Sequence, residues 1–301
     1  MSSFLNAQDV TFSQFYKNPI YLNPSLTALQ SCGRAFVNYR NADFGALENT
    51  AYSVSFDLPF EATNSGLGGR FMWVEDGMAR TGFFGAQFSR KVSLRENLFL
   101  TLGLEAGGVT RTWNVSDIVL PSDITNAGGA SNTKPPSSLT YDVAAGLGLN
   151  YKVHYVGFAV RHLTESQAKA LIVNSQLYRT FLYHYGARID YRLPGQNYGY
   201  FAPHFIFEQQ KGNNQLTTGV YATYNKVGAG LWIRNHFPLQ MSSLIIMGTI
   251  KTLNWEFSYS YDIPVNGSGV FLGAHEIALT YYLSDFKEKR KDVKTKNCLS
   301  F

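Results

Sequence analysis

The chain has 301 residues, of which 15% are aromatic and only 16% are charged, and its formal net charge is +5. Soluble domains average about 25% charged residues, so this composition favours an unusually apolar soluble protein or a membrane protein. No stretch reaches the roughly 18 apolar residues of a transmembrane helix, so any bilayer crossing requires a closed β-barrel, because lipid does not tolerate unpaired backbone groups.

The first residues look like the end of a secretory signal peptide. An apolar stub ends in Leu5-Asn6-Ala7, which is an acceptable small-residue cleavage site before Gln8. We therefore assign residues 1–7 to the remainder of a signal peptide. The alternative is an ordinary frayed N-terminus.

Residues 8–31 form an aromatic segment with two Asn-Pro steps, which favour turns and extended backbone. The segment is too apolar for a free tail, so it is predicted to be buried inside the lower barrel as a plug, or against a partner. Gln14 and Asn18 are expected to hydrogen-bond barrel strands. The candidate plug or partner-binding residues are Phe12, Gln14, Phe15, Tyr16, Asn18, Pro19, Tyr21, Leu22, Asn23 and Pro24.

Apolar and polar residues alternate with a period of two along most of 32–284, which predicts β-strands. In 254–262, the aromatic residues at every second position share one face, and polar residues share the other. This pattern is typical of a lipid-facing band with aromatic girdles around a polar interior. In 275–283, His275 and Glu276 are both assigned to the polar face. The predicted strands are 33–41, 50–59, 66–75, 80–91, 97–113, 138–153, 155–164, 179–193, 198–209, 215–226, 227–236, 241–252, 254–263 and 271–284.

The connections differ between the two ends of the predicted barrel. Those after even-numbered strands are mostly tight, whereas 114–137 and 165–178 follow odd-numbered strands and are long. Short periplasmic turns and long extracellular loops are typical of outer-membrane barrels, so both termini are predicted to be periplasmic, and the two long loops are the natural surface for a captured protein. We predict an all-β, transmembrane outer-membrane β-barrel of about 14 antiparallel strands over 32–284.

The C-terminus combines a charged tail with one of the two cysteines. Residues 285–301 are rich in basic residues and are predicted to form a periplasmic tail. Cys32 precedes the first strand and Cys298 follows the last, and barrel closure makes these strands neighbours. A disulfide between them is therefore a candidate in an oxidising compartment, although the long connection also lets Cys298 stay unpaired.

Motifs for other classes of function are missing from the sequence. There is no nucleophile elbow, phosphate-binding loop, dinucleotide fingerprint or nucleic-acid-binding motif, and the six histidines lack metal-ligand spacing. We therefore predict a protein without enzymatic activity, metal, cofactor or nucleic-acid partner. Charged residues assigned to the interior are interpreted as solvated or paired: Glu105, Arg188, Asp190, Arg234, Glu256 and Asp262.

The N-terminal segment resembles a known family. The string from Phe12 to Pro24, FSQFYKNPIYLNP, is similar to the QFY-x-NP-x-YLNPA signature of PorP/SprF proteins, outer-membrane components of the type IX secretion system in Bacteroidota. Residues 34–40 resemble the first strand of that family, and 273–281 resemble the last. Ser25 stands where the family usually has alanine, which is a conservative departure.

The resemblance implies a role in protein secretion and surface display. It predicts a non-enzymatic secretion component that receives or anchors a cell-surface protein, such as an adhesin with a type B C-terminal domain, associated with gliding in some organisms. Other secretion components are implied as partners, including in some members a periplasmic peptidoglycan-binding lipoprotein. The alternative is a passive or substrate-specific outer-membrane porin.

Overall fold

One antiparallel sheet closes on itself in the computed structural model. The structure describes residues 11–27, 32–43, 48–77, 79–113, 137–165, 167–169, 174–193, 197–237, 240–265 and 272–283. None of the described residues belongs to a helix long and apolar enough to cross a membrane.

The described part of the chain contains seventeen strands and three short helical turns. The helical turns are α1 (Pro19–Leu22) and two 3-10 turns, Pro24–Leu26 and Glu61–Thr63. The strands are β1 (Gly33–Asp43), β2 (Glu48–Phe60), β3 (Ser65–Asp76), β4 (Ala79–Arg95), β5 (Leu98–Trp113), β6 (Ser137–Tyr151), β7 (His154–Arg161), β8 (Gln167–Lys169), β9 (Asn174–Gln176), β10 (Thr180–Ala187), β11 (Ile189–Leu193), β12 (Asn197–Gln210), β13 (Asn213–Tyr224), β14 (Val227–His236), β15 (Gln240–Lys251), β16 (Trp255–Pro264) and β17 (Gly273–Leu283).

The first and last strands close the barrel. β1 pairs with β17 from Gly33↔Leu283 to Asp43↔Gly273. The remaining neighbours in the wall also pair antiparallel, and β10 pairs with both β7 and β12. β8 and β9 pair only with each other among the described strands, as a small hairpin in the connection between β7 and β10.

The predicted single strand 179–193 is interrupted in the structure. β10 pairs with β12 up to Gly186↔His204, and β11 resumes the same register at Ile189↔Phe201. Pro203 lies opposite the gap and has no backbone N–H to donate, so the ladder breaks there without a shift in register. With β10 and β11 counted as one strand, the fifteen-stranded sheet is a closed barrel of fourteen strands, which confirms the predicted fold class.

The two faces of the wall differ as the alternation predicts. On β16, Trp255, Phe257 and Tyr259 are exposed on the outer face, whereas Glu256 and Ser258 are buried inside. The assignment of His275 to the inner face was wrong. Consecutive residues of a strand point to opposite faces, so His275 lies outside while its neighbour in the sequence is buried within the barrel.

The interior is not uniformly polar, which corrects part of the prediction. Large inward side chains of the wall form an apolar cluster with residues of the N-terminal segment. Among the wall residues are Met72, Phe83, Leu182, Trp232 and Ile245. The barrel therefore has a packed core, and its lumen is not lined by charge alone.

The barrel has a tight-turn end and a loop end. The six connections at the tight-turn end are two to four residues long, and the chain enters β1 and leaves β17 at that end. The loop end includes the long connections 114–136 and 162–179. The first of these lies outside the described residues, as do the assigned signal-peptide remainder 1–7 and the tail 285–301.

Candidate functional site

The N-terminal segment lies inside the barrel. Residues 12–27 are all buried, although most of them have no regular secondary structure. Pro19 begins α1 and Pro24 begins the following 3-10 turn, positions where the missing N–H of proline costs no helical hydrogen bond. The Asn23 side chain accepts the Ser25 N–H at 2.9 Å and caps that turn. The two Asn-Pro steps therefore fold the segment into compact turns that fit the lumen.

A buried carboxylate of the last strand binds the backbone of the segment. The Glu276 carboxylate accepts the N–H of Ser13 at 2.7 Å and that of Gln14 at 2.9 Å. The same side chain accepts hydrogen bonds from Asn38 at 2.7 Å and from Arg40 at 3.2 Å, both on the first strand. Glu276 therefore joins the segment to both strands that close the barrel.

Two arginines and a second carboxylate surround the Ser13 hydroxyl. This hydroxyl donates to Asp262 at 2.7 Å and accepts from Arg40 at 2.8 Å and from Arg234 at 3.2 Å. Both guanidinium groups also pair with Asp262, at 2.9 and 3.0 Å. With Glu276, the cluster contains two positive and two negative side chains, so its charges balance in a buried site.

The Gln14 side chain uses both ends of its amide. Its nitrogen donates to the Glu276 backbone carbonyl at 3.0 Å and to Ser260 at 3.3 Å, and its oxygen accepts from Ser258 at 2.5 Å. A buried amide with partners at both ends is held in one orientation. Gln14 therefore makes the contact with barrel strands that the sequence predicts for it.

Aromatic residues fill the lumen beside this polar cluster. The Tyr16 ring stacks on Trp232 at 4.9 Å between ring centres, and its hydroxyl donates to the Met247 sulfur at 3.0 Å. The Phe15 ring lies edge-on to both Tyr16 and Trp232, at 5.9 Å between ring centres in each case. The next residue, Lys17, forms a buried ion pair with Glu256.

The middle of the segment contacts β2, β3 and β7. Asn18 accepts a hydrogen bond from the Ser55 hydroxyl at 3.0 Å. The Tyr21 ring lies edge-on to Phe12 at 5.3 Å, and the guanidinium carbons of Arg70 and Arg161 lie 5.7 and 5.3 Å from its centre. Pro19 and Leu22 are also buried.

The end of the segment fits against glycines of the wall. The Asn23 side chain donates to the backbone carbonyls of Leu147 at 3.1 Å and Phe158 at 3.2 Å. A Cβ on Gly146 would lie 1.9 Å from the Asn23 side-chain oxygen, and one on Gly103 would lie 2.2 Å from the carbonyl carbon of Pro24. Non-bonded heavy atoms cannot approach each other this closely, so only glycine leaves room for the segment at these positions.

All ten candidate residues thus lie in the lumen, but sequence reasoning missed several residues beside them. Ser13, Lys17 and Thr27 are also buried, and Thr27 donates to the Gln87 side chain at 2.6 Å. Alternation identifies the inner face, but it does not say which inward residues meet the segment. One signal in the sequence could have identified Lys17: its positive charge is opposite to that of the inward-facing carboxylates on the last two strands.

The other charged residues that the sequence assigns to the interior are paired or solvated, as predicted. Inside the barrel, Glu105 pairs with Arg70 at 2.6 Å. Arg188 pairs with Asp190 at 2.9 Å, and Asp190 is exposed to solvent. Within the described part of the chain, no group of three or more His, Cys, Asp or Glu side chains is arranged to hold a metal ion.

The candidate disulfide involves a residue that the structure does not describe. Cys32 is buried next to the start of β1. Cys298 lies outside the described residues, so its pairing with Cys32 stays a prediction.

Comparison with solved structures gives the fold. The chain is similar to the CymD monoaromatic hydrocarbon channel, with a TM-score of 0.52 and 14% identity over 93% of this chain and 95% of that chain. The Ralstonia pickettii toluene transporter TbuX is also similar, with a TM-score of 0.49 and 11% identity over 88% of this chain and 92% of that chain. At 14% identity, the similarity to CymD concerns the barrel fold alone.

Comparison with sequences gives the family. Among curated proteins, none matches the chain. The family model described as "Type IX secretion system membrane protein PorP/SprF" matches residues 4–281, which span nearly all of the closed barrel and the segment inside it. The chain therefore belongs to the PorP/SprF family of type IX secretion system membrane proteins and is an outer-membrane β-barrel of that system.

Proposed function

We propose that this protein is a non-enzymatic platform that receives or anchors a secreted cell-surface protein, of the kind that carries a type B C-terminal domain. Family membership supports a place in type IX secretion. The proposal adds the role within that system: the barrel holds a partner at its surface and does not conduct solutes.

The observation that carries this proposal is the filled lumen. Residues 12–27 are buried inside the barrel, and their hydrogen bonds reach strands on several sides of the wall. Releasing the segment would leave Glu276, Glu256 and Asp262 without their partners in it, and uncompensated buried charges are strongly unfavourable. A lumen occupied in this way favours a scaffold over a channel.

The two ends of the barrel would then serve different partners. We assign the tight-turn end, with both termini, to the periplasm, because short turns at that end are typical of outer-membrane barrels. The loop end is then extracellular, and its connections 114–136 and 162–179 would contact the surface protein. Other secretion components, including a peptidoglycan-binding lipoprotein, would meet the periplasmic end.

A deletion strain tests the role in display. Without this protein, the cognate surface protein should accumulate inside the cell or appear in the medium, as measured by protease treatment of intact cells and by fractionation. Expression of the wild-type chain from a plasmid should restore display. Normal surface display in the deletion strain would contradict the proposal.

Conductance separates this function from that of a porin. The purified wild-type barrel in a planar bilayer should give few or no steady ion channels, because the segment occupies the lumen. Stable channels from the wild-type protein, with normal display in the deletion strain, would instead support a passive or substrate-specific porin.

A further inference from the structure

The tight-turn rim carries a basic patch on one side of the barrel, where the long strands β4 and β5 end. Arg90 and Arg95 lie on β4, and Lys152 lies in the turn between β6 and β7. Arg95 pairs with Leu98, which pairs in turn with Tyr151, so Arg95 and Tyr151 lie in one row across three strands, and Arg90 lies five residues earlier on β4. The Lys152 N–H donates to the Asn97 carbonyl at 3.0 Å and holds the two turns side by side.

Exposed apolar side chains alternate with these cations. Val92, Leu94, Tyr151 and Val153 are between 40 and 49% exposed. Arg90 lies on the outer face of β4 between the exposed residues Phe88 and Val92, and the Lys152 ammonium lies 5.3 Å from the centre of the Tyr151 ring. A cation among lipid-facing apolar residues must lie at the level of the headgroups, because charge in the hydrocarbon is costly.

The charge balance of the patch is positive. The three basic residues Arg90, Arg95 and Lys152 outnumber the nearby exposed acids, Glu61 and Glu96. Lys91 is not part of the patch, because it points to the inner face beside Phe99, with its ammonium 4.5 Å from that ring centre. No ion pair joins these three outward basic side chains to any other described residue. The exposed charges at the loop end are of mixed sign, and Arg80 and Arg179 there pair with acidic neighbours at 3.5 and 3.7 Å.

We infer that this patch, defined by Arg90, Arg95, Lys152 and their apolar neighbours, binds the phosphate headgroup of an anionic phospholipid in the leaflet on the tight-turn side. Arg95 and Lys152 contact the phosphate at the rim, Arg90 extends toward it along β4, and the apolar side chains contact the upper acyl chains. An acidic protein would also be attracted by the cations, but it would not need apolar residues between them on the lipid-facing wall. This inference does not depend on the proposed role in display.

Quenching by brominated lipids tests the patch directly. The wild-type chain has four tryptophans, including Trp255 on the outer face, so its quenching is subtracted from that of the full-length variant Tyr151→Trp, which retains the ring beside Lys152. Both proteins are reconstituted in phosphatidylcholine with increasing fractions of brominated phosphatidylglycerol or brominated phosphatidylcholine. Each basic residue near a lipid surface contributes about fivefold at low salt, and the two nearby acids offset two of the three basic residues, so the net effect is about fivefold. We expect the reporter to prefer phosphatidylglycerol about threefold to tenfold, and salt to weaken this preference.

Matched charge variants identify the residues responsible. In the reporter background, the triple variant Arg90→Gln, Arg95→Gln, Lys152→Gln should lower the preference to about one. A control that removes three basic residues from the loop end, Arg80→Gln, Arg179→Gln, Lys211→Gln, should leave it unchanged. Heat-modifiable mobility on gels checks that each variant is a folded barrel, and variants with one substitution at a time replace any triple variant that does not fold.

Two outcomes would overturn the inference. One is equal quenching by both lipids in the reporter protein, which would leave the patch to an acidic protein partner or to no ligand. The other is a preference for phosphatidylglycerol that the patch variants retain, or that the loop-end variant loses to the same degree.

Discussion

The substitution Glu276→Gln should release the N-terminal segment from the lumen. The wild-type carboxylate binds two backbone N–H groups of the segment and the side chains of Asn38 and Arg40, and it is fully buried. The amide removes one negative charge from a cluster that keeps two arginines, and its NH₂ group faces donors. Disrupting a buried charge pair of this kind costs about 3–5 kcal/mol.

Hydrogen exchange measures the release, because the two affected amides belong to Ser13 and Gln14. If these amides exchange when the segment leaves its site, 3–5 kcal/mol corresponds to an exchange rate about 10²- to 10⁴-fold higher. Mass spectrometry of an N-terminal peptide, after labelling of the folded barrel in detergent, gives this rate. Peptides from β4 and β5 should keep their protection, since those strands do not contact Glu276.

A matched control removes a carboxylate without a partner in the segment. Glu96→Gln changes an exposed residue in the tight turn between β4 and β5, so it should leave the exchange of the segment unchanged. If Glu276→Gln folds and its N-terminal peptide is as protected as in the wild type, then the carboxylate does not anchor the segment and the argument is wrong.

Further predictions concern the fit, the lumen and the cysteines. Gly146→Ala should lower the temperature at which half of the barrel unfolds and expose the segment to protease, because the added methyl group overlaps the segment. Gly248→Ala is the control: no heavy atom lies within 4 Å of the new Cβ, so it should be tolerated far better. Deletion of residues 11–27 should produce ion channels in planar bilayers, and a deletion variant that folds but does not conduct would show that other residues block the lumen. If Cys32 and Cys298 are bonded, alkylation of the denatured barrel protein, purified from the outer membrane, should add no mass before reduction and the mass of two adducts after it. Two adducts without reduction would exclude the disulfide.

The fold could be predicted well from the sequence because one property specifies it. Alternation reveals both the strands and the two faces of the wall, and it predicted fourteen strands in nearly the observed positions. The break at Pro203 was missed because the effect appears on the neighbouring strand, and pairing partners are not visible in a single strand's pattern. His275 was misassigned because its polarity was given more weight than its position in the alternation.

The site was predictable only in part. Aromatic content and Asn-Pro steps indicated that the N-terminal segment is buried, but contacts such as Ser13 with Asp262 join residues 249 positions apart in the sequence. Such contacts depend on the depth at which the segment lies in the lumen, and alternation carries no information about depth. The apolar cluster around Trp232 was missed for the same reason: an inward aromatic residue is unexpected until a partner inside the barrel is known.

The position of Glu276 has a consequence for biogenesis. The residue that anchors the N-terminal segment lies on β17, the last strand to be synthesised, and it also contacts the first strand. The segment therefore cannot form its hydrogen bonds with Glu276 until β17 has joined the barrel. In turn, β17 cannot bury this carboxylate favourably without the segment. Binding of the segment in the lumen and pairing of β1 with β17 are thus coupled steps. A chain truncated before β17 would lack both the β1–β17 pairing and the carboxylate that anchors the segment.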